Sequence, residues 1–263
     1  MKKILKKAYN LCINEFPDFP YLLDDIYLWL ATEDEYPLTF QNAVEFLNLP
    51  VKININQLEY YSAEFKAELL KTHRKVIIIL RKSLIEDPHE SLKILIHELA
   101  HAYHDNVFKE NAPPNDDEKK YLFQTGERMW KECVAEYFSM RILRSEEEWN
   151  QNTLERDFKS LLYNPALYPE RLGFFLMRCK NSNTSAADVI KAVGINAEIA
   201  ETEKLAAIME KLQDDLNKKL RRVAVFEIDS NFLIQLGKKI AVFVYYYYQY
   251  YDYVDTFLNT MEK

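Results

Sequence analysis

The sequence predicts a mainly helical (α+β) protein with a small β-sheet. The 263 residues include only 4 Gly and 9 Pro, and an all-β protein with many tight turns needs more of both. Apolar residues recur at helical spacing along most of the chain. A hydrophobic content of 48% is enough for one large core or two modest ones, which excludes disorder for most of the chain.

Apolar residues at helical spacing predict three helical runs in the first third of the chain. The runs cover about residues 4–13, 21–29 and 40–47, and prolines separate them. Residues 51–55 alternate in polarity, which predicts a short strand. Residues 59–71 are then predicted to form a further helix.

The strongest strand candidate is the β-branched run at residues 75–80, which charged residues flank. A helix is predicted soon after it, from about Pro88 to Phe108. Asp87 is a suitable N-cap residue, proline is favoured at the first helical position, and Glu90 adds negative charge in the first turn.

The rest of the chain is predicted to be helical. A polar loop at residues 111–118 leads to a long helix over about residues 119–144, in which Gly126 is the weakest point. We expect two regions, one at residues 1–145, with its core motifs at 75–142, and a helical C-terminal lobe at 146–263. The helices of that lobe are predicted at residues 149–162, 168–179, 186–193, 197–220 and 232–261.

Charge and cysteine content restrict the partners and the compartment. The net charge of −7 argues against a phosphate backbone as the main partner, so we expect no nucleic acid. The three cysteines show neither disulfide nor zinc spacing, which favours a reducing, cytoplasmic location. The uncharged stretch at residues 240–251 is 12 residues long, whereas a membrane span needs about 20.

An HExxH motif, His97-Glu98-Leu99-Ala100-His101, lies in the helix predicted after the strand. The side chains at positions i and i+4 share one helix face, so His97 and His101 can bind a single metal ion. Glu98 is turned by about 100° from His97, where it can act as a general base on a water molecule. The composition predicts only about 0.01 chance matches to this motif.

The third ligand is expected to be a downstream carboxylate. No histidine follows His104, and His104 itself is about 10 Å along the helix from His97. Glu132 and Glu136 form an i,i+4 pair on a segment that is otherwise largely apolar, where two like charges repel unless both face water. We predict that Glu132 is a ligand and that Glu136 accepts a hydrogen bond from a ligating histidine, His97. Solvent exposure of either glutamate is the alternative.

These motifs resemble the gluzincin zinc peptidases. In that group an HExxH helix is followed by a second helix with a glutamate ligand and an acidic residue about one turn later, and here HELAH is followed by ECVAEYF. Within the clan, the ImmA/IrrE-like metallopeptidases are similar at Glu132, Ala135 and Phe138. They more often have Asn where this chain has Glu136.

The resemblance implies a zincin-like catalytic lobe in which Zn²⁺ and Glu98 activate a water molecule to hydrolyse a peptide bond. The substrate is then a peptide or a protein. In this group a strand such as residues 76–80 forms an edge on which substrate backbone can pair. Candidate donors to the oxyanion are His104 and Tyr103, and also Tyr121 and Tyr137.

Two other functions remain open. A binding or regulatory protein on a zincin scaffold could hold zinc without general hydrolysis, and a C-terminal half that plugs the cleft would favour it. A DNA-associated protease with an SprT-like domain is suggested by the likeness of HELAHAYH, residues 97–104, to that group. The missing third histidine and the acidic net charge count against an SprT-like DNA-associated protease.

Overall fold

The computed structural model describes most of the chain. The described residues are 2–51, 58, 62, 65–107, 113–143, 151–161, 168–194, 200–220 and 228–261. They form a mainly helical structure with one three-stranded sheet, which confirms the predicted fold class. Within these ranges, each helix is too short or too polar to cross a lipid bilayer.

Residues 1–107 and 137–145 form the first of two compact units, and residues 108–136 and 146–263 form the second. The first unit contains α1 (Lys2–Glu15), β1 (Ile26–Ala31), α2 (Tyr36–Leu47), β2 (Ala67–Lys71), β3 (Val76–Arg81) and α3 (Pro88–Val107). Helix α4 (Asp117–Leu143) contributes residues to both units. The second unit continues with α5 (Gln151–Ser160), α6 (Tyr168–Asn181), α7 (Ala186–Gly194), α8 (Ala200–Leu220) and α9 (Ser230–Met261).

Strand β3 is the central strand of the sheet, with the order β1-β3-β2. It pairs in parallel with β1, where Ile26 lies opposite Val76, and antiparallel with β2, where Ala67 lies opposite Leu80. This confirms the predicted strand, but the edge position implied by the gluzincin resemblance is wrong. A run that is apolar at every position must be covered on both faces, and residues 76–80 are 0% exposed.

One helix predicted in the first third and the last part of another are replaced by strands, whereas Ser62 is helical as predicted. The run at residues 21–29 forms a short 3₁₀ turn and then β1, and residues 67–71 of the predicted helix at 59–71 form β2. The β2 sequence, AELLK, consists of good helix formers, but backbone pairing with β3 overrides this local preference. The strand predicted at residues 51–55 lies outside the described residues, apart from Val51.

Helix α3 begins where the sequence predicts. The Asp87 carboxylate Oδ1 accepts hydrogen bonds from the backbone N–H groups of His89 and Glu90, at 3.0 and 3.1 Å. These bonds satisfy donors that the first helical turn leaves without an intrahelical partner. The apolar face of α3, including Leu95, Ile96 and Leu99, is completely buried. It packs on α1, β2 and β3, which fixes the helix that carries the HExxH motif.

The second unit brings α4 and α9 into close backbone contact at two glycines. A Cβ added at Gly126 would overlap the carbonyl oxygen of Leu233 and lie 3.0 Å from the backbone nitrogen of Gly237. A Cβ added at Gly237 would overlap the carbonyl oxygen of Leu122. Gly126 is therefore a packing residue rather than a weakness in the helix.

We expect Gly237→Ala to lower the free energy of unfolding by about 1–3 kcal/mol, because two helix backbones must separate to admit the methyl group. Helix propensity alone predicts the opposite sign, a gain of about 1 kcal/mol. Urea denaturation measures the difference. Lys238→Ala, at the exposed neighbouring position, is the matched control and should stay within about 0.5 kcal/mol of wild type. A stabilised Gly237→Ala protein would contradict the close contact.

Candidate metal centre

The two histidines of the HExxH motif point at one place. Their Nε2 atoms lie 3.1 Å apart, and the two rings are nearly perpendicular, at 79°, with centroids 4.7 Å apart. Nitrogens bound to one tetrahedral zinc ion at about 2.0–2.1 Å are about 3.3 Å from each other. His97 is buried and His101 is half-buried. The pair therefore fits two ligand positions of a single ion.

Glu132 completes a group of three possible ligands. One ligand atom each from His97, His101 and Glu132 can be chosen so that all three lie within 4.8 Å of one another. Two imidazole nitrogens and a carboxylate oxygen form a donor set that zinc accepts in catalytic sites, where a fourth position stays open. The chain thus contains a His-His-Glu group close enough to hold a metal ion, as the sequence predicts.

Glu98 follows the first histidine directly in α3 and is half-buried. A position one residue on is turned by about 100° around the helix. His97 and His101 therefore share one face of α3, and Glu98 lies on a different face. Its role as general base stays a prediction.

Glu136 is buried one turn after Glu132 in α4. It is 2% exposed, which excludes the alternative in which this glutamate faces water. Its Oε1 lies 3.8 Å from Nε of Arg178, a residue of α6. A buried carboxylate needs such a compensating charge. The predicted hydrogen bond between His97 and Glu136 stays a prediction.

Helix α6 packs directly on the turn of α4 that carries Glu132. A Cβ added at Gly173 would lie 3.1 Å from Glu132 Cβ and 3.4 Å from Cys133 Sγ. The Cys133 thiol is completely buried. Burial raises the pKa of this thiol, and the charges of Glu132 and Glu136 raise it further. Cys133 is consequently a packing residue beside the carboxylates rather than a reactive thiol.

Glu170 in α6 adds a third carboxylate to this region. Burial raises its pKa, the neighbouring Arg128 guanidinium lowers it, and the charge of Glu132 raises it. Arg128 Nε donates to Glu170 Oε1 at 2.5 Å. Neither Glu170 nor Arg178 could be singled out from the sequence, because an acid in the first turn and a base in the last turn of a helix are ordinary.

Tyr103, a candidate oxyanion donor, is held by a structural hydrogen bond. Its hydroxyl donates to Asp18 Oδ1 at 2.8 Å, and its ring stacks on Phe16 with centroids 4.1 Å apart. Burial, followed by this hydrogen bond and the Asp18 charge, raises the pKa of Tyr103 to about 12. The hydroxyl thus keeps its proton at neutral pH.

The other candidate donors differ in environment. His104 is completely buried in α3, and its Nδ1 lies 3.8 Å from Asp105 Oδ1. Asp105 in turn forms an ion pair with Lys71 of β2, at 3.3 Å. Tyr121 is 65% exposed, and Tyr137 is half-buried. Which side chain stabilises an oxyanion stays a prediction.

No protein-family model matches this sequence, and no curated protein or solved structure matches it. A functional proposal for the chain therefore depends on the site residues and their geometry.

Proposed function

We propose that the protein is a zinc-dependent metallopeptidase of the gluzincin type. The observation that supports this most strongly is the convergence of His97, His101 and Glu132 on a volume that one metal ion can fill. The HExxH spacing supplies a general base beside two ligands, and this combination is typical of metal-assisted peptide hydrolysis. A zincin-like arrangement for the HExxH helix and the sheet is part of the same proposal.

His97, His101 and Glu132 would hold the zinc ion, which supplies Lewis acidity to polarise a scissile carbonyl and favour deprotonation of water. Glu98 accepts the proton of the attacking water and transfers it to the leaving amine. Glu136 accepts a hydrogen bond from the ligating His97, which holds the imidazole in the tautomer and orientation needed for binding.

The sheet supports a peptide as substrate, through β2 rather than β3. Among the described strands, β1 and β2 each pair only with β3, so the outer edges of both are not used in this sheet. An extended peptide can add to such an edge by main-chain hydrogen bonds. Strand β2 is also tied to α3 by the ion pair between Lys71 and Asp105. We therefore assign the substrate-pairing edge to β2.

The test is a zinc analysis of the purified full chain combined with a peptidase assay on a mixed fluorogenic peptide library. We expect about one zinc per chain, loss of hydrolysis after chelation, and recovery when zinc is added back. His101→Ala should lose the metal, whereas His89→Ala, at an exposed position in the first turn of α3, should keep it.

The outcomes separate the possible functions. A wild-type protein that binds no zinc would overturn the proposal. A protein that binds zinc stoichiometrically but cleaves no peptide in the library would overturn the peptidase assignment and favour a zinc-holding regulatory protein.

A further inference from the structure

Arg178 joins two acids of the second unit, the buried Glu136 and the half-buried Asp157. Its Nη1 donates to Asp157 Oδ2 in α5 at 2.6 Å, and its Nε lies 3.8 Å from Glu136 Oε1 in α4. The exposed fractions of the Arg178, Asp157 and Glu136 side chains are 19%, 17% and 2%. The three side chains therefore form a chain of charges that is largely shielded from water, where each contact is stronger than at the surface.

The position of the Arg178 guanidinium is fixed from more than one side. A guanidinium is planar and presents its N–H groups in a rigid fork. The hydrogen bond to Asp157 sets the direction of one nitrogen, and the cation lies 5.5 Å from the ring centroid of Phe174. With these contacts made, Nε lies 3.8 Å from Glu136 Oε1. Asp157 thus orients the arginine that accompanies Glu136.

Glu136 and Glu132 are one helical turn apart in α4, so their like charges repel. A cation beside Glu136 weakens this repulsion and opposes movement of its carboxylate. The ion pair of Arg128 with Glu170 plays an equivalent part for the acid of α6. Each arginine offsets a carboxylate that neighbours the predicted metal ligand.

We propose that Arg178, oriented by Asp157, is a positioning residue for the metal centre. It acts through Glu136 by holding its carboxylate in place and offsetting its charge. This inference rests on the proposed function, because it assigns Glu136 a part in metal binding. A merely structural ion pair would stabilise the fold equally with and without the metal, so its loss would leave the zinc affinity unchanged.

The test measures zinc affinity of the full-length protein by competition with a chromophoric chelator. We expect Arg178→Met to weaken zinc binding by about 10-fold, within the range known for residues that orient metal ligands. Arg178→Lys keeps the charge but loses the planar fork of N–H groups, so it should weaken zinc binding by about 3-fold. Asp157→Asn should weaken zinc binding by a similar factor. The last two variants decide the matter if Arg178→Met does not fold.

A double-mutant cycle distinguishes positioning from stability. In a Glu136→Gln background, we expect Arg178→Met to change zinc affinity by less than about 2-fold, because the group through which it acts is gone. Arg156→Met, at an exposed position of α5, is the matched control and should leave the affinity unchanged. Thermal unfolding of the metal-free proteins records any loss of stability separately.

The results separate this inference from the function on which it rests. Absence of zinc binding by the unmodified protein would overturn the proposed function itself. Tight zinc binding by the unmodified protein, with unchanged affinity in the Arg178 and Asp157 variants, would overturn the inference alone. Equal losses of zinc affinity in the wild-type and Glu136→Gln backgrounds would also overturn it, since Arg178 would then act by a route other than Glu136.

Discussion

Replacing Glu98 by glutamine is expected to lower the rate of peptide hydrolysis by about 10²- to 10⁴-fold, the usual contribution of a positioned general base. Glutamine has nearly the same shape and helix propensity as glutamate, but its amide cannot take a proton from water. The zinc content should remain that of wild type, because Glu98 lies outside the His-His-Glu group.

The measurement is kcat for a cleaved peptide, together with zinc content and a far-ultraviolet circular dichroism spectrum. Glu90→Gln is the matched control on the same helix, since Glu90 pairs with the exposed Lys66 near the start of α3. Its activity should stay close to wild type. Wild-type activity in Glu98→Gln would refute the general-base role, and loss of zinc would show that Glu98 is a ligand instead.

Glu132→Gln is expected to weaken zinc binding by about 10³-fold, because one of three protein ligands and its negative charge are lost. Glu136→Gln should weaken binding by about 10- to 100-fold, the range for a residue that orients a ligand. The order of the two effects follows from the geometry, since Glu132 supplies an atom within 4.8 Å of both histidines' ligand atoms.

Chelator competition gives both affinities, and unfolding of the metal-free proteins shows whether the fold is retained. Glu127→Gln is a suitable control, because Glu127 forms an i,i+4 pair with Lys131 in α4 at 3.3 Å. Such a pair contributes about 0.3–0.5 kcal/mol to stability. A larger affinity loss in Glu136→Gln than in Glu132→Gln would reverse the ligand assignment.

The HExxH helix could be predicted well because its signals are local. Its N-cap, its apolar face and the i,i+4 histidines all lie within about 20 residues, on a helix whose period is known. The strands β1 and β2 could not be predicted in the same way, because a strand is stabilised by pairing with a distant partner. The apolar run of β3 was recognisable, whereas the AELLK sequence of β2 carries no comparable signal.

The candidate site shows the same division between local and distant information. Glu132 and Glu136 could be selected because two acids one turn apart on an apolar segment are unusual. Arg178 and Glu170 could not, since nothing in their own segment shows that α6 packs on the turn of α4 that carries Glu132. Likewise, nothing in the sequence around Gly126 indicates that its backbone packs against the segment that contains Gly237.

The contact between α4 and α9 also bears on the order in which the protein is assembled during synthesis. Gly126 and Gly237 are separated by about 110 residues, so their contact is non-local and forms after local helical structure. On the ribosome, α3 with His97 and His101 emerges long before α9 is available to α4. The helix that carries Glu132 therefore reaches its final packing only after α9 has been made.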